Sequence, residues 1–369
     1  MDYLMVILLT IFLIPVFLII VGMPYWTRKT ESFGVSIPED IYYTEELKSM
    51  RKSYATLMIG VSIITTLIFL SIYFFITKDE SVMTNTYTII VISYLIGSFF
   101  VYLVYHRQMK RLKQAKNWAQ GKEQHVVVHT KFHYKQLTVS NWLYMIPLLL
   151  SLFTIVWTLL IYDKFPEQIP MNYSLTGEIT NWATKSYRTV LTLPITQLFL
   201  VCIFIFVNII ISRSKQQVSA KNPQASMMQN IIFRRRWSIF LFISGLALTI
   251  MFSIVQISFT YELSSFVLFS ILIIVTGGIL VGSIVLAITT GQGGSRVRLQ
   301  DQEDTLSIDR DDDKHWKLGQ FYFNREDPSI FLEKRFGIGW TINLARPMAW
   351  VFIFGIILLA VGIPLMLTF

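Results

Sequence analysis

The chain has 369 residues, of which 53% are hydrophobic and only 15% are charged. Soluble domains carry about 25% charged residues, so this composition excludes an ordinary soluble protein. The formal net charge of +9 would suit nucleic acid, but the basic residues lie in loops between long apolar runs. That distribution indicates a membrane protein instead.

Apolar runs of about 20 residues, the length that crosses a bilayer as a helix, recur along the chain. None of them contains Asp, Glu, Lys or Arg, and backbone in hydrocarbon must satisfy its own hydrogen bonds, so each is predicted as a helix. The predicted spans are Leu4–Met23, Ala55–Ile76, Tyr87–Tyr105, Trp142–Tyr162, Val190–Ile211, Trp237–Phe259, Phe266–Thr289 and Met348–Phe369. The predicted fold class is therefore an all-α polytopic membrane protein of about eight transmembrane helices, with a small β-like cytoplasmic element before the last helix.

The first span is expected to stay in the mature chain. Asp2 precedes it where a signal peptide has Lys or Arg, and Val21–Pro24 offers no small-x-small cleavage site. Cys202 is the one cysteine, so an intramolecular disulfide is excluded, and it lies inside a predicted span.

The basic residues predict the orientation. Of the 32 Lys and Arg residues, all but Lys78, Lys164, Lys185 and Arg188 fall in the odd-numbered loops. Because cytoplasmic loops are enriched in Lys and Arg, these loops are predicted to be cytoplasmic and both termini outside.

The spans and loops suggest five regions. They are a three-helix membrane region with cytoplasmic loops (1–140), two helices around an external loop at 163–189 (141–212), a membrane hairpin (213–289), a cytoplasmic linker with an aromatic and glycine-rich module (290–346), and a last transmembrane helix (347–369).

Three histidines in the second cytoplasmic loop, His125, His129 and His133, are spaced by four residues. On a helix they would share one face and could bind zinc. The alternation of apolar and polar residues over Gln124–Val139 favours a surface strand, and no nearby cysteine or second acid completes a site. We predict neither a metal site nor a cofactor.

The external loop is predicted to be folded rather than a simple connection. Pro166 and Pro170 favour an extended backbone, and Thr176-Gly177 indicates a turn. Trp182 and Tyr187 stand where amphipathic rings settle, at the outer headgroup level.

Three amides, Gln197, Asn208 and Gln256, interrupt the predicted spans. Buried amides usually bond to neighbouring helices and contribute about 1 kcal/mol. They would also suit the lining of a solute path. However, ion-coupled transporters usually have charged residues inside their spans, and no charged residue accompanies these amides.

The cytoplasmic segment Gly291–Arg346 begins as a polar linker and continues as an aromatic, glycine-rich module. Its acids at Asp309–Asp313 do not fit a calcium loop, because the glycine and terminal glutamate positions hold Lys314 and Gln320. We expect the module to be a compact β-like element at the inner membrane surface rather than a single-strand nucleic-acid site. Its candidate structural or partner-binding residues are Trp316, Phe321, Tyr322, Asn324, Asp327, Phe336, Gly337, Gly339 and Trp340.

No Walker loop, G-x-S-x-G, H-E-x-x-H or pair of intramembrane aspartates occurs in the sequence. The common hydrolase and ATPase chemistries are therefore not predicted, and we expect a protein that is not an enzyme.

The external loop resembles the signature of a family of bacterial membrane domains of unknown function, the SdpI-like family. The resemblance rests on Pro166, Ile169, Pro170, Tyr173, Gly177, Trp182 and Lys185 at matching spacing. Asn172 stands where the family usually has histidine, and Thr180 where it usually has an acid. The stretch from Trp316 to Pro347 resembles a second uncharacterised module that accompanies this loop in larger Gram-positive proteins.

The resemblance implies a multi-pass protein of the bacterial plasma membrane. It also implies immunity to a secreted killing peptide, and we expect either that role or the sensing of antimicrobial peptides or envelope stress, with a cytoplasmic regulator or another membrane protein as a possible partner. Candidate ligand-binding residues are Pro166, Ile169, Pro170, Asn172, Tyr173, Gly177, Trp182 and Lys185. The alternatives are a small-solute transporter and an intramembrane enzyme.

Overall fold

The computed structural model describes residues 2–118, 124–125, 136–173, 179–219, 222–261, 263–299, 308–309 and 312–368. The described chain is mostly helical. Its long helices are α1 (Asp2–Trp26), α2 (Glu45–Phe75), α3 (Glu80–Lys116), α4 (Met145–Leu160), α5 (Tyr187–Arg213), α6 (Pro223–Ser258), α7 (Ser265–Thr290) and α8 (Pro347–Thr368).

Each of the eight predicted spans falls on one of these helices, which confirms the fold class, although α2, α3 and α6 begin well before the predicted spans. Within the described residues, α1–α7 are long and apolar enough to cross a membrane, and α8 has a shorter described apolar stretch, Pro347–Leu358. Several helices extend past the apolar run into charged sequence. α3, for example, continues to Lys116 and ends at Asn117 in the left-handed conformation.

The strands are short and pair mainly as hairpins. They are β1 (Glu31–Ser32), β2 (Val35–Ser36), β3 (Gln124–His125), β4 (Gln168–Tyr173), β5 (Ile179–Thr184), β6 (Ile308–Asp309), β7 (Trp316–Lys317), β8 (Phe321–Tyr322), β9 (Phe331–Glu333) and β10 (Trp340–Ile342). The pairs β1–β2, β4–β5, β7–β8 and β9–β10 are antiparallel, whereas β3 and β6 pair in parallel. His125 lies in β3, while His129 and His133 lie outside the described residues.

The chain forms two compact units. Unit 1 comprises Met1–Lys135, Ser214–Phe233 and Ile284–Ala349, and unit 2 comprises Gln136–Arg213, Arg234–Ser283 and Trp350–Phe369.

Unit 1 has an aromatic core at the loop-facing ends of α2 and α3. Phe33, at the tip of the β1–β2 hairpin, is buried between Tyr54, Tyr105 and Phe336, with ring centroids 5.3–5.8 Å away. Tyr102 of α3 also packs on Phe336, at 4.4 Å. The β1–β2 hairpin and the segment around Phe336 therefore fold back onto the helices of unit 1.

In unit 2, side-chain hydrogen bonds join α4, α5 and α6. Thr154 of α4 bonds to Ser253 of α6 at 3.1 Å, and Gln197 of α5 donates to the same Ser253 hydroxyl at 2.9 Å. Small polar side chains let the helices approach closely. Their hydrogen bonds help the helices associate in lipid, where there is no hydrophobic driving force between them.

Candidate functional site

The predicted external loop is a two-stranded hairpin in unit 2, between the end of α4 and the start of α5. Backbone register pairs Pro170 with Trp182, Asn172 with Asn181, and Tyr173 with Ile179. A bulge interrupts the ladder between Pro170 and Asn172, where the proline has no N–H to donate. The extended conformation predicted from the prolines is confirmed. Gly177 lies outside the described residues.

Lys185 closes the foot of the hairpin. Its Nζ donates hydrogen bonds to the carbonyl oxygens of Asp163 at 3.1 Å and Phe165 at 2.9 Å. It also lies 5.1 Å from the centroid of the Tyr162 ring, and the side chain is only 11% exposed. Because its donors are directed into the protein, Lys185 positions the hairpin rather than offering a charge to a ligand.

Ile169 is buried beside Phe165 and Val190, so it anchors β4. Tyr162 and Tyr187 stack at the same foot, with centroids 4.0 Å apart. These contacts fix the hairpin on the ends of α4 and α5.

Other side chains of the hairpin are exposed, and they include three large apolar or aromatic ones. Tyr173, Ile179 and Trp182 are 43%, 36% and 50% exposed, and Pro166 is exposed at the start. Desolvation raises the pKa of the Tyr173 phenol, so its hydroxyl stays neutral. We call Tyr173, Ile179 and Trp182 the hairpin face.

Below the hairpin, Gln256 of α6 compensates a proline in α5. Pro194 has no N–H, so the carbonyl of Val190, four residues earlier, lacks its helical donor. Gln256 Nε2 supplies that donor at 3.0 Å and also donates to Thr158 Oγ1 at 3.1 Å. The predicted intramembrane amide therefore binds neighbouring helices.

Gln197 and Asn208 do the same at other levels of unit 2. Gln197 donates to the Thr249 carbonyl at 3.0 Å, and Asn208 donates to Asn141 Oδ1 at 2.8 Å. Both side chains are fully buried. Within the described part of the chain, the Oε1 atoms of Gln197 and Gln256 accept no hydrogen bond.

The predicted module in unit 1 has a small core of its own. Trp316, Tyr322 and Leu332 are buried together, with Trp316 and Tyr322 ring centroids 5.1 Å apart. Tyr322 donates to Asp327 Oδ2 at 2.9 Å, and desolvation, together with this hydrogen bond, raises the pKa of the phenol to about 12. Phe321, in contrast, is exposed.

Asp327 ties the module to the segment before α6. Burial alone would raise the pKa of its carboxyl, but hydrogen bonds from Lys215 and Ser329 hold it at about 2. Lys215 Nζ lies 2.6 Å from Asp327 Oδ2, and the Lys215 backbone N–H donates to the Phe331 carbonyl at 2.9 Å.

Asn343 organises the turn that contains Asn324 and Asp327. Its Nδ2 donates to the carbonyls of Asn324, Asp327 and Ser329, at 2.9, 3.2 and 3.2 Å. Its Oδ1 accepts from the Asn324 N–H at 3.1 Å.

The remaining predicted module residues attach it to unit 1. Phe336 enters the aromatic core, and Gly337 packs against Met23 with φ of +83°, where any side chain would be strained. Gly339 exchanges two hydrogen bonds with the Gln292 side chain, both within 2.9 Å. Trp340 stacks on Phe233 at 5.2 Å.

Buried ion pairs were not predicted from the sequence. Arg335 is 2% exposed and pairs with Asp312, Asp313 and Glu31. Glu333 is fully buried and pairs with Arg28. The sequence offered only a local signal. Glu333 and Arg335 stand next to apolar residues, in Phe-Leu-Glu and Arg-Phe, and charged residues of a solvated loop have few apolar neighbours.

The same part of unit 1 contains a polar cleft of about 620 Å³. Amide side chains line it beside the paired charges: Gln216, Gln217, Asn222, Gln229 and Asn324. This lining suits water and polar solutes rather than an apolar ligand. Within the described residues, no group of three or more His, Cys, Asp or Glu side chains is arranged to hold a metal ion.

Comparison with known families identifies two matches. Residues 149–198 match a domain of unknown function, DUF1648, which covers part of α4, the whole hairpin and the first half of α5. Residues 325–350 match a family of unknown function, DUF5808, within the module and the start of α8. No curated protein and no solved structure matches the chain significantly. The chain is therefore a polytopic membrane protein that carries two domains of unknown function.

Proposed function

We propose that this protein is a non-catalytic, SdpI-like protein of the bacterial plasma membrane, whose hairpin face lies outside and binds a secreted antimicrobial peptide. The observation that carries the proposal is that the side chains that hold the hairpin in place differ from those that it exposes. Lys185 and Ile169 are engaged in holding it, whereas Tyr173, Ile179 and Trp182 are exposed.

The chemistry of the hairpin face supports an amphipathic peptide as the ligand. Tyr and Trp offer a large rigid contact area at low entropic cost and are enriched at binding hot spots. A membrane-active peptide is most concentrated at the headgroup level, where such rings settle. The match of residues 149–198 to DUF1648 supports treating α4, the hairpin and α5 as one functional element.

Two features support a binding role rather than catalysis. The exposed groups of the hairpin face are apolar or, for Tyr173, a phenol that is neutral at pH 7 and whose pKa desolvation raises further. The charged residue at the site, Lys185, donates to backbone carbonyls. In this proposal the module of unit 1 relays the bound state to a cytoplasmic regulator or stabilises the helices.

A survival experiment tests the proposal. Wild type, Trp182→Ala and the control Trp142→Ala are expressed at equal membrane abundance in a sensitive Gram-positive host and challenged with a panel of secreted antimicrobial peptides. Trp142 is 80% exposed and lies at the other end of α4, so it controls for loss of an exposed indole. We expect protection by wild type and Trp142→Ala, and loss of protection with Trp182→Ala.

Absence of protection against every peptide, or equal loss in both variants, would contradict this function. In that case the alternative is transport of a small amphipathic solute. The observation in its favour is the line of buried amides and hydroxyls through unit 2, in which two glutamine oxygens accept no hydrogen bond from the described residues. Flux into proteoliposomes that falls with Gln197→Leu would support it.

A further inference from the structure

Three large apolar side chains project from the β7–β8 turn of the module. Leu318, Phe321 and Phe323 are 46%, 44% and 41% exposed. Strand alternation places Phe321 and Phe323 on one face, while Tyr322 between them packs into the module core. We call Leu318, Phe321 and Phe323 the apolar tip.

The turn that carries Leu318 is packed against α3 in a strained backbone conformation. Leu318 has φ of +53°, a left-handed backbone that a branched side chain rarely adopts. The next residue, Gly319, packs so closely on α3 that a Cβ would lie 2.5 Å from the Tyr102 hydroxyl. That hydroxyl donates to the Leu318 carbonyl at 2.9 Å. An exposed leucine kept at a strained position indicates a role for its side chain.

The position of the tip along α3 shows what surrounds it. The Phe321 ring centroid lies 6.5 Å from that of Phe99. From Tyr87 through Tyr105, α3 has no charged residue, and the first charged residue after this stretch is Arg107. Phe99 precedes Arg107 by about 12 Å of helix at 1.5 Å per residue. The tip therefore lies beside the apolar part of α3, at a level of the helix that precedes Arg107.

The charges around the tip are suited to anionic lipid. Lys314 and Lys317 are exposed on the module, and Arg107, Lys110 and Arg111 are exposed on α3 just past the apolar segment. The nearby acids Asp312 and Asp313 are engaged in ion pairs with Arg335, and Asp313 also with Lys113 at 2.6 Å. Basic residues at this height favour a leaflet rich in anionic headgroups.

We propose that the apolar tip inserts into the interface of the cytoplasmic leaflet and anchors the module to the bilayer, with the basic residues at the anionic headgroups. The apolar face of α3 continues the same surface, because Ile96, Phe100 and Val104 are also exposed. This membrane contact is separate from the hairpin face and does not depend on a peptide ligand.

The test uses the full chain in nanodiscs, in a Cys202→Ser background with Phe321→Cys carrying a nitroxide label. The control is Glu326→Cys, an exposed position of the same module. Collision with oxygen, which concentrates in lipid, is compared with collision with a water-soluble nickel chelate. Discs contain either phosphatidylcholine alone or phosphatidylcholine with phosphatidylglycerol.

We expect the label at position 321 to be several-fold less accessible to the nickel chelate than the label at 326, and more so in discs with phosphatidylglycerol. Leu318→Gly relieves the backbone strain while removing a side chain, so it should stay folded and yet raise the nickel accessibility at 321. Equal nickel accessibility at 321 and 326 in both lipids would overturn the proposal. So would protection of 321 that appears only when a protein partner is added.

Discussion

Lys185 shows how one charged side chain sets the geometry of the hairpin. Its ammonium group satisfies two carbonyls at the foot, at 2.9 and 3.1 Å, and it is shielded from water. The charge contributes to the structure of the hairpin, because it is bonded to two backbone carbonyls of the segment before β4. Hydrogen bonds to charged groups contribute about 1.5–3 kcal/mol each.

We therefore expect Lys185→Met to loosen the hairpin without unfolding the helices. Amide hydrogen exchange of β4 and β5 should accelerate about tenfold or more, since about 1.4 kcal/mol corresponds to a factor of ten. Lys164→Met, an exposed neighbour, is the matched control and should leave exchange unchanged. Unchanged exchange with Lys185→Met would show that the ammonium group does not hold the hairpin.

Asp327 makes the module sensitive to acid. Its folded pKa of about 2 lies below its ordinary value of 3.8, so the carboxylate stabilises the fold above about pH 4. That stabilisation is lost as the pH falls through about 2. The shift corresponds to a contribution on the order of 2 kcal/mol.

Thermal unfolding in nanodiscs between pH 7 and pH 2 checks this expectation. Asp327→Asn should be less stable than wild type at pH 7 and should lack the corresponding acid-dependent loss. Glu326→Gln serves as a control, because Glu326 is an exposed neighbour. Parallel pH profiles for wild type and Asp327→Asn would contradict the assigned role.

Among the elements, the proline of α5 is paired with a side chain of α6. Pro194 leaves the Val190 carbonyl without a helical donor, and Gln256 supplies one at 3.0 Å. Such an arrangement allows a proline inside a membrane helix without an unsatisfied carbonyl. It also connects the base of the hairpin, where Val190 is buried with Ile169, to α6.

A double-mutant cycle tests this pairing. Gln256→Leu should destabilise the protein by about 1–2 kcal/mol, because a buried carbonyl loses its partner. In a Pro194→Ala background the helix regains its own donor, so the same substitution should cost less. Equal costs in the two backgrounds, measured by unfolding in detergent or bilayer, would show that the two residues act independently.

The sequence predicted the elements well where one physical constraint dominates. Uncharged apolar runs such as Phe266–Thr289 form helices because hydrocarbon permits little else. Pro166 and Pro170 predicted the extended strand because proline restricts the backbone locally. The role of Lys185 was not predicted as it is observed, since its spacing in the motif does not reveal where its Nζ points.

Contacts between distant segments were the least predictable. Glu333 pairs with Arg28 from near the other end of the chain, and Phe33 meets Phe336 in one core. The local sequence does not say which distant segment each of these residues contacts, and only the folded arrangement of unit 1 supplies the partner. Asp312 and Asp313, from the acidic run that does not fit a calcium loop, bind Arg335.

At the scale of the whole molecule, the distribution of Lys and Arg predicts that the hairpin and the module lie on opposite sides of the membrane. In a Cys202→Ser background, a membrane-impermeant maleimide should label Thr180→Cys in intact cells and leave Lys317→Cys unlabelled until the membrane is opened. Both positions are exposed, so accessibility depends on the side of the membrane. The reverse pattern would invert the topology.

Direct binding tests the central claim, that the hairpin face recognises a peptide. A fluorescent peptide against which the wild type protects is titrated onto purified protein in nanodiscs, comparing wild type, Trp182→Ala and Trp142→Ala. Removing a hot-spot tryptophan costs about 2 kcal/mol or more, so we predict that Trp182→Ala weakens binding more than tenfold and Trp142→Ala does not. Equal affinity of wild type and Trp182→Ala would show that the hairpin face is not the binding site.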